Sequence, residues 1–301
     1  MSTPPRFVAS ARLGAPSEDS AEAIHQVGLA LSSTIAPAPL IGRFCSTLSA
    51  LVRADRCIVV EENDPADPSF ALLKEAFIRK EAVQFEGALS LLCAPLFTDR
   101  HSEGAIVLSR PATAPFDERD LRLVATVAPQ AAFAIHHARQ YHRATSDGLT
   151  GLPNRLRFTV ELEDAVAGGG GVSLILADFD HFKDKNDVYG RGVGDRALAE
   201  FAVLLDGRLQ SAACVSRTGD DEFGAVLPAV DSAHARDLAE DLRKAVNDRV
   251  FDEAHEGIHL TISAGVAALK PGEMASSLFS RAGDALAAAK RAGRNRVESA
   301  K

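Results

Sequence analysis

Arg217-Thr218-Gly219-Asp220-Asp221-Glu222-Phe223 lies between two short apolar runs, Cys214-Val215 and residues 223–227. A Gly-Asp pair between β-prone runs signals a hairpin, because Gly, Asn and Asp tolerate the left-handed backbone of a tight turn. Such a hairpin projects Asp221 and Glu222 from a sheet, where a divalent cation can use them. Taken alone, the same residues also make an ordinary solvated acidic turn. The surrounding sequence decides between the two.

Upstream, residues 172–177 form a continuous apolar run of strand length, which predicts a buried central strand. It ends in Asp178-Phe179-Asp180, and carboxylates there are costly to bury unless paired or coordinated. Residues 194–209 have helical spacing, with Leu198, Phe201, Ala202 and Leu205 on the inner face. After the hairpin come a helix through Leu238, Leu242 and Val246, a strand over 259–268, and a helix through Leu278, Ala282, Ala285, Leu286 and Ala289. The order βααββαβ, with the hairpin in its middle, predicts an α+β sheet of ferredoxin-like type.

Behind the triplet stand Phe182, Lys183, Asn186, Asp187, Gly190, Gly194 and Asp195. Lys183 supplies a point charge for phosphate, and backbone N–H groups of the same loop suit its oxygens. Asn186 and Asp195 offer hydrogen-bonding edges. An Asp that accepts from a ring N–H and an exocyclic amine selects guanine, because adenine presents an acceptor at that ring position. Lys290 and Arg294 are one turn apart beside Gly293, as phosphate ligands or as cations that suit a helix C-terminus.

The chain of 301 residues is long enough for two domains. Its net charge of -8 excludes broad binding to nucleic acid or anionic membrane. Cys45, Cys57, Cys93 and Cys214 lack metal-ligand spacing, and free thiols in a reducing cytoplasm are expected. No apolar run has membrane-spanning length and the N-terminus lacks a signal-peptide core. The expected protein is cytoplasmic, with neither nucleic acid nor membrane as partner.

Residues 1–20, rich in Ser, Pro and Ala, are expected to be disordered. Helical spacing follows through Ile24, Val27, Leu31 and Ile35, then through Leu40, Phe44, Leu48, Leu51 and Val52. A strand over 57–60, an irregular acidic stretch, a strand over 89–97, a loop and a return strand over 105–108 complete the expected sheet. A long helix opens at Asp117, its N-cap. Its apolar positions Leu121, Val124, Ala128, Ala131, Ile135 and Ala138 have heptad spacing, which suits either a helix pair or one helix packed on its own domain. Pro129 is expected to kink it. The helix is the expected junction between a first domain, 21–141, and a second, 142–301.

The first domain resembles the GAF family, on this element pattern and on Ala54-Asp55-Arg56-Cys57, Ala94-Pro95-Leu96-Phe97, Gly104-Ala105-Ile106-Val107-Leu108 and Pro115-Phe116-Asp117. The resemblance implies a sensory or dimerising domain. A small-molecule ligand under segment 61–90 is one role it implies, although that segment is short for it.

The second domain resembles the GGDEF family of diguanylate cyclases. The matching phrases are residues 147–155, Asp178-Phe179-Asp180-His181-Phe182-Lys183, Asn186-Asp187, Gly194-Asp195, residues 217–223, Ser263-Ala264-Gly265-Val266-Ala267, and Lys290 with Gly293-Arg294-Asn295-Arg296. The resemblance implies a nucleotidyl cyclase palm. In a homodimer it would join two GTP into cyclic di-GMP and release two pyrophosphates. It implies two Mg²⁺ ions per GTP site on Asp178, Asp221 and the Phe179 carbonyl. Lys183, His181, Phe182, Lys290 and Arg294 would meet phosphate, Asn186 and Asp195 would read guanine, and Asp221 and Glu222 would be the catalytic carboxylates. Control would pass from the GAF-like domain through the junction helix.

The chain departs from that family at Asp220, where a second glycine is usual, and at Arg191, Gly283 and Ala287. Gln210-Ser211-Ala212-Ala213 stands where the family carries a charged product-inhibition motif, so strong feedback through that site is not expected. Asp220 raises the alternative of a catalytically weakened domain that acts as a GTP-binding regulatory module.

Overall fold

The computed structural model describes residues 6–12, 21–60, 70–99, 101–252 and 257–301. Two compact units, Met1–Ala144 and Thr145–Lys301, divide the chain. The first contains β1 (Arg6–Arg12), α1 (Ala21–Ser32), α2 (Pro37–Val52), β2 (Arg56–Val60), α3 (Phe70–Arg79), β3 (Glu81–Glu86), β4 (Leu89–Phe97) and β5 (Ser102–Pro111). It closes with α4 (Glu118–Thr145). Its antiparallel sheet has the order β1-β3-β4-β5-β2.

The heptad-spaced positions of α4 resolve in favour of a single helix on its own domain. Leu121, Val124, Ala128, Ala131, Ile135 and Ala138 all sit in one core with Leu40, Phe44 and Leu48 of α2 and Leu92 and Leu108 of the sheet. Three-and-four spacing marks a buried stripe whatever covers it. The helix starts where expected: Asp117 Oδ1 accepts from the Asp120 N–H at 2.8 Å, and Asp120 Oδ2 accepts from the Asp117 N–H at 3.1 Å. This is a reciprocal cap. Assigned helix continues past Pro129 to Thr145.

Two expectations for this unit need correction. Residues 6–12, expected to be disordered, pair antiparallel with β3, while 1–5 and 13–20 lie outside the described residues. An edge strand needs only free ladder groups and a half-buried face, and Ala9 and Ala11 rest against the core. The stretch expected to be irregular contains α3 and β3; residues 61–69 of it lie outside the described residues. Gln84 disguised β3 by placing a polar residue among buried Val83 and Phe85, and its Nε2 donates to the Phe116 carbonyl at 2.7 Å.

The second unit contains α5 (Arg155–Ala167), β6 (Val172–Phe179), α6 (Phe182–Tyr189), α7 (Arg191–Arg208), β7 (Cys214–Arg217), β8 (Glu222–Pro228) and α8 (Ser232–Asn247). It continues through β9 (Val250–Phe251), β10 (Ile258–His259), β11 (Ile262–Ala268), α9 (Ala275–Arg291) and β12 (Val297–Ser299). The main sheet has the order β12-β11-β6-β8-β7. Removing β12 leaves the ferredoxin-like order, with β6 central between antiparallel β11 and β8. The strand expected over 259–268 is split, because Ile258 and His259 pair with β9 instead.

Every residue of β6 is buried. Its odd positions Ile175, Ala177 and Phe179 enter a core with Phe201 of α7, Phe223 of β8 and Leu242 of α8. Its even positions Leu174 and Leu176 enter a second core with Phe158 of α5 and Leu278, Ala282 and Leu286 of α9. Period-two alternation therefore sends the next even residue, Asp178, toward α9.

α9 approaches β11 closely because residue 265 has no side chain. A Cβ on Gly265 would lie 2.2 Å from the Ala282 carbonyl oxygen and 2.2 Å from the Leu286 nitrogen. Gly265→Ala should cost about 3 kcal/mol of unfolding free energy in denaturant titration. Gly283→Ala, on the same helix with nothing within 4 Å of its Cβ, should instead stabilise by about 0.5–1 kcal/mol. Equal effects of the two would contradict this packing.

Candidate active site

Leu286 packs beneath β6, and Lys290 follows it one helical turn later on α9. Lys290 Nζ lies 2.6 Å from Asp178 Oδ1. Asp178 is only 7% exposed and pairs across the sheet with Glu222 on one side and Ser263 on the other. Burial, with the Asp221 and Glu222 carboxylates adding to it, pushes the Asp178 carboxyl up to about 6 against the pull of Lys290. The Phe179 N–H donates to the Asp221 carbonyl at 3.3 Å, which holds the base of the hairpin against the end of β6. The structure thus brings Asp178, Phe179, Asp221, Glu222 and Lys290 into one cluster.

The hairpin is built without left-handed backbone. Neither Gly219 nor Asp220 has a positive φ, contrary to the tight-turn expectation. Longer closure explains this: the Thr218 and Gly219 N–H groups both donate to the Glu222 carbonyl, at 2.8 and 3.1 Å. Space at Gly219 is tight, since a Cβ there would lie 3.1 Å from the Glu222 Cβ and the turn would have to give by a few tenths of an ångström. Asp220 is exposed, and its carbonyl accepts from Arg217 at 2.6 Å. Thr218 Oγ1 donates to Glu222 Oε1 at 2.8 Å, so part of that carboxylate is engaged within the turn.

Arg217 also grips Asp147, with Nη1 at 3.1 and 3.2 Å from the two carboxylate oxygens, and its N–H donates to the Pro153 carbonyl at 2.9 Å. Hydrogen bonds from Thr150 and the Arg217 guanidinium hold the Asp147 carboxyl below its ordinary value, against the opposing effect of burial. The segment that enters the second unit is thereby tied to the hairpin. The contact spans 70 positions, beyond the reach of any local periodicity.

Beyond β6, His181 takes φ 55 and turns the chain into α6, while buried Phe182 stacks on Phe179. Lys183 is exposed. Asn186 Oδ1 is buried with no hydrogen-bond partner, a costly arrangement unless something donates to it. Gly194 makes room for that amide, since a Cβ there would stand 1.9 Å from Asn186 Oδ1. Exposed Asp195 follows on α7. Asn186 and Phe182 thus meet at Gly194, with exposed Lys183 and Asp195 on the same two helices. At the end of α9, Arg294 is exposed and takes φ 62.

The donor set fits Mg²⁺. Hard carboxylate oxygens suit it, and it commonly takes one or two carboxylates and completes its shell with water and substrate phosphate. Among the described residues no group of three or more His, Cys, Asp and Glu side chains is arranged to hold a metal ion by itself. Lys290 already supplies the positive charge that Asp178 requires.

A family model described as "Diguanylate cyclase, GGDEF domain" matches residues 144–296, and a GAF domain model matches residues 16–135. The chain is 41% identical over 171 residues to the diguanylate cyclase DgcP of Pseudomonas aeruginosa, covering 56% of this chain and 26% of that protein. It is 38% identical over 161 residues to the response regulator PleD of Caulobacter vibrioides, covering 51% and 36%. The chain thus spans only about a quarter to a third of the length of these curated relatives. A crystal structure of the coiled coil and GGDEF domain of DgcB from Caulobacter crescentus, in complex with c-di-GMP, superposes with a TM-score of 0.55 at 33% identity, covering 61% of this chain and 100% of that one. Among the described residues no helix is long and apolar enough to cross a membrane, and the four cysteines are thiols outside any disulfide.

Asp178 makes stability depend on pH. Its folded-state value, about 6, lies above that of an unfolded Asp, so native protein holds the proton more tightly. The cost of its charge is absent below about pH 4 and complete above the folded value. Asp178→Asn should therefore gain stability relative to wild type as pH rises from about 4 to about 7, by up to about 3 kcal/mol. Denaturant titrations across that range check it, and a pH-independent difference would contradict it.

Proposed function

The chain belongs to the GGDEF family, and we propose that it is a diguanylate cyclase that condenses two GTP into cyclic di-GMP and two pyrophosphates. The observation that carries this reading is the convergence of Lys290 and the Asp221-Glu222 hairpin on Asp178, with Lys290 Nζ at 2.6 Å from Asp178. Carboxylates beside a mobile ammonium form a site whose charge can be redistributed when a polyphosphate arrives.

In this reading Asp178, Asp221 and the Phe179 carbonyl would hold two Mg²⁺ ions, which when bound offset triphosphate charge and polarise the reacting oxygens. Lys290 leaves Asp178 for the terminal phosphates, joined there by Lys183 and Arg294, while the turn at His181 and Phe182 offers backbone N–H groups. Asn186 Oδ1 accepts from the guanine exocyclic amine, and Asp195 accepts from that base's edge. Each GTP sits on one subunit of a homodimer. The 3′-hydroxyl oxygen of one attacks the α-phosphorus of the other and the bond to pyrophosphate breaks. The reciprocal attack then closes the ring and releases the second pyrophosphate. In each step the hydroxyl proton passes to Asp221 or, through it, to solvent. Glu222, tethered by Thr218, keeps the hairpin in place. Alignment of two loaded halves is where a regulator gains most control, and the GAF domain would act there through the junction helix. Leu73 and Ala76 of α3 fill the sheet face with Val83, Phe85 and Cys93, which weighs against a ligand pocket on that face.

The binding-only alternative draws no support from the geometry of Asp220, whose side chain is exposed and whose backbone is unstrained. Purified protein with GTP and Mg²⁺ should yield cyclic di-GMP by chromatography. Asp221→Ala should lower the rate about 100-fold or more, and Asp220→Gly should leave it within about threefold. Absence of product from wild type at high protein concentration, or restoration of activity only in Asp220→Gly, would overturn the proposal.

A further inference from the structure

Three consecutive residues at the end of α9 have positive φ: Gly293 at 110°, Arg294 at 62° and Asn295 at 43°. Glycine adopts this region freely, but an Arg and an Asn in succession need something to hold them there. The Arg294 N–H donates to the Ala289 carbonyl at 3.1 Å, and the group that holds Asn295 is Asp180. Its Oδ2 accepts from the Asn295 N–H at 2.9 Å and from Thr261 Oγ1 at 2.7 Å. Its Oδ1 accepts from Ser263 Oγ at 2.7 Å, and its own N–H donates to the Thr261 carbonyl at 2.9 Å. Hydrogen bonds to an ionised carboxylate are the strong ones.

Asp180 is 4% exposed, so this carboxylate is turned inward and fully engaged, unlike Asp178 two residues before it. On its other side Asn295 is anchored by Arg243, which donates to Oδ1 at 2.8 Å, and its Nδ2 donates to Asn247 Oδ1 at 3.1 Å. Arg294 stands between these anchors and Gly293, with its side chain exposed.

We propose that Asp180 is a positioning residue that sets Arg294 against the terminal phosphates of the nucleotide, by holding the left-handed turn at Asn295. The inference rests on reading Arg294 as a phosphate ligand. Without the acceptor at Asn295 the turn relaxes toward negative φ and the guanidinium leaves its place, while the guanine contacts at Asn186 and Asp195, on other elements, stay as they were.

The test is equilibrium binding of two probes to the full chain in Mg²⁺: 3′-deoxy-GTP, which carries the triphosphate but cannot cyclise, and GMP, which lacks the outer phosphates. Asp180→Ala should weaken 3′-deoxy-GTP about tenfold or more and GMP less than about twofold. In an Arg294→Ala background the same substitution should add less than about twofold. Asp180→Asn, whose amide oxygen can still accept from Asn295, should stay within about threefold of wild type. If the alanine variant does not fold, Asp180→Glu carries the same expectation, because its longer side chain displaces the anchor while keeping the charge. Equal loss for both probes, no loss, or a loss that persists in the Arg294→Ala background would overturn the inference. A wild type that binds GMP as tightly as 3′-deoxy-GTP would instead overturn the phosphate reading itself.

Discussion

A carboxylate at the end of a fully buried strand must have a counter-charge, and the second domain is arranged around that need. β6 is closed on both faces, so Asp178 has little water to rely on. Alternation along the strand aims it at α9, and the glycine at 265 lets α9 come close enough for Lys290 to reach it. The hairpin then brings further negative charge to the same place through the Asp221 carbonyl bond to Phe179. Lys290 pairs with Asp178 while the hairpin carboxylates add negative charge beside it, which is a useful state for a site proposed to accept cations and polyphosphate together.

The two aspartates of one triplet do opposite things. Asp178 faces Lys290 and the hairpin, with its carboxyl raised by burial. Asp180 is enclosed by hydroxyls and a backbone N–H and holds surrounding structure. Arg217 plays a comparable part for the hairpin, binding Asp147, the Pro153 carbonyl and the Asp220 carbonyl at once. The parts proposed to touch nucleotide therefore rest on polar supports that do not face it, an arrangement that keeps ligand-bearing loops in one geometry.

Much of this was legible in the residues. The apolar run of β6, the helices carrying Phe201 and Leu286, and the bounds of β4 follow from period and length alone. The carboxylates, Lys290 and the Asn186 neighbourhood were visible as types at suggestive spacing. What stayed hidden is non-local or locally ambiguous. Asp180 meets partners 81 to 115 positions away, and Arg217 meets Asp147 across 70. β3 carries buried Gln84, and β1 exists because an edge offered it a ladder. The hairpin residues suggested a left-handed turn, yet a longer closure onto the Glu222 carbonyl removed the need for one. Heptad spacing in α4 reported a buried stripe correctly and left its partner open.

In the proposed cyclase, charge at the end of β6 is redistributed when metal and nucleotide bind together, with Lys290 exchanging Asp178 for phosphate. A crystal structure with Mg²⁺ and 3′-deoxy-GTP tests it most directly. The expected result is metal on the Asp178 and Asp221 carboxylates, with Lys290 moved to the terminal phosphates. Nucleotide bound with Lys290 still on Asp178, and no metal on either carboxylate, would contradict it.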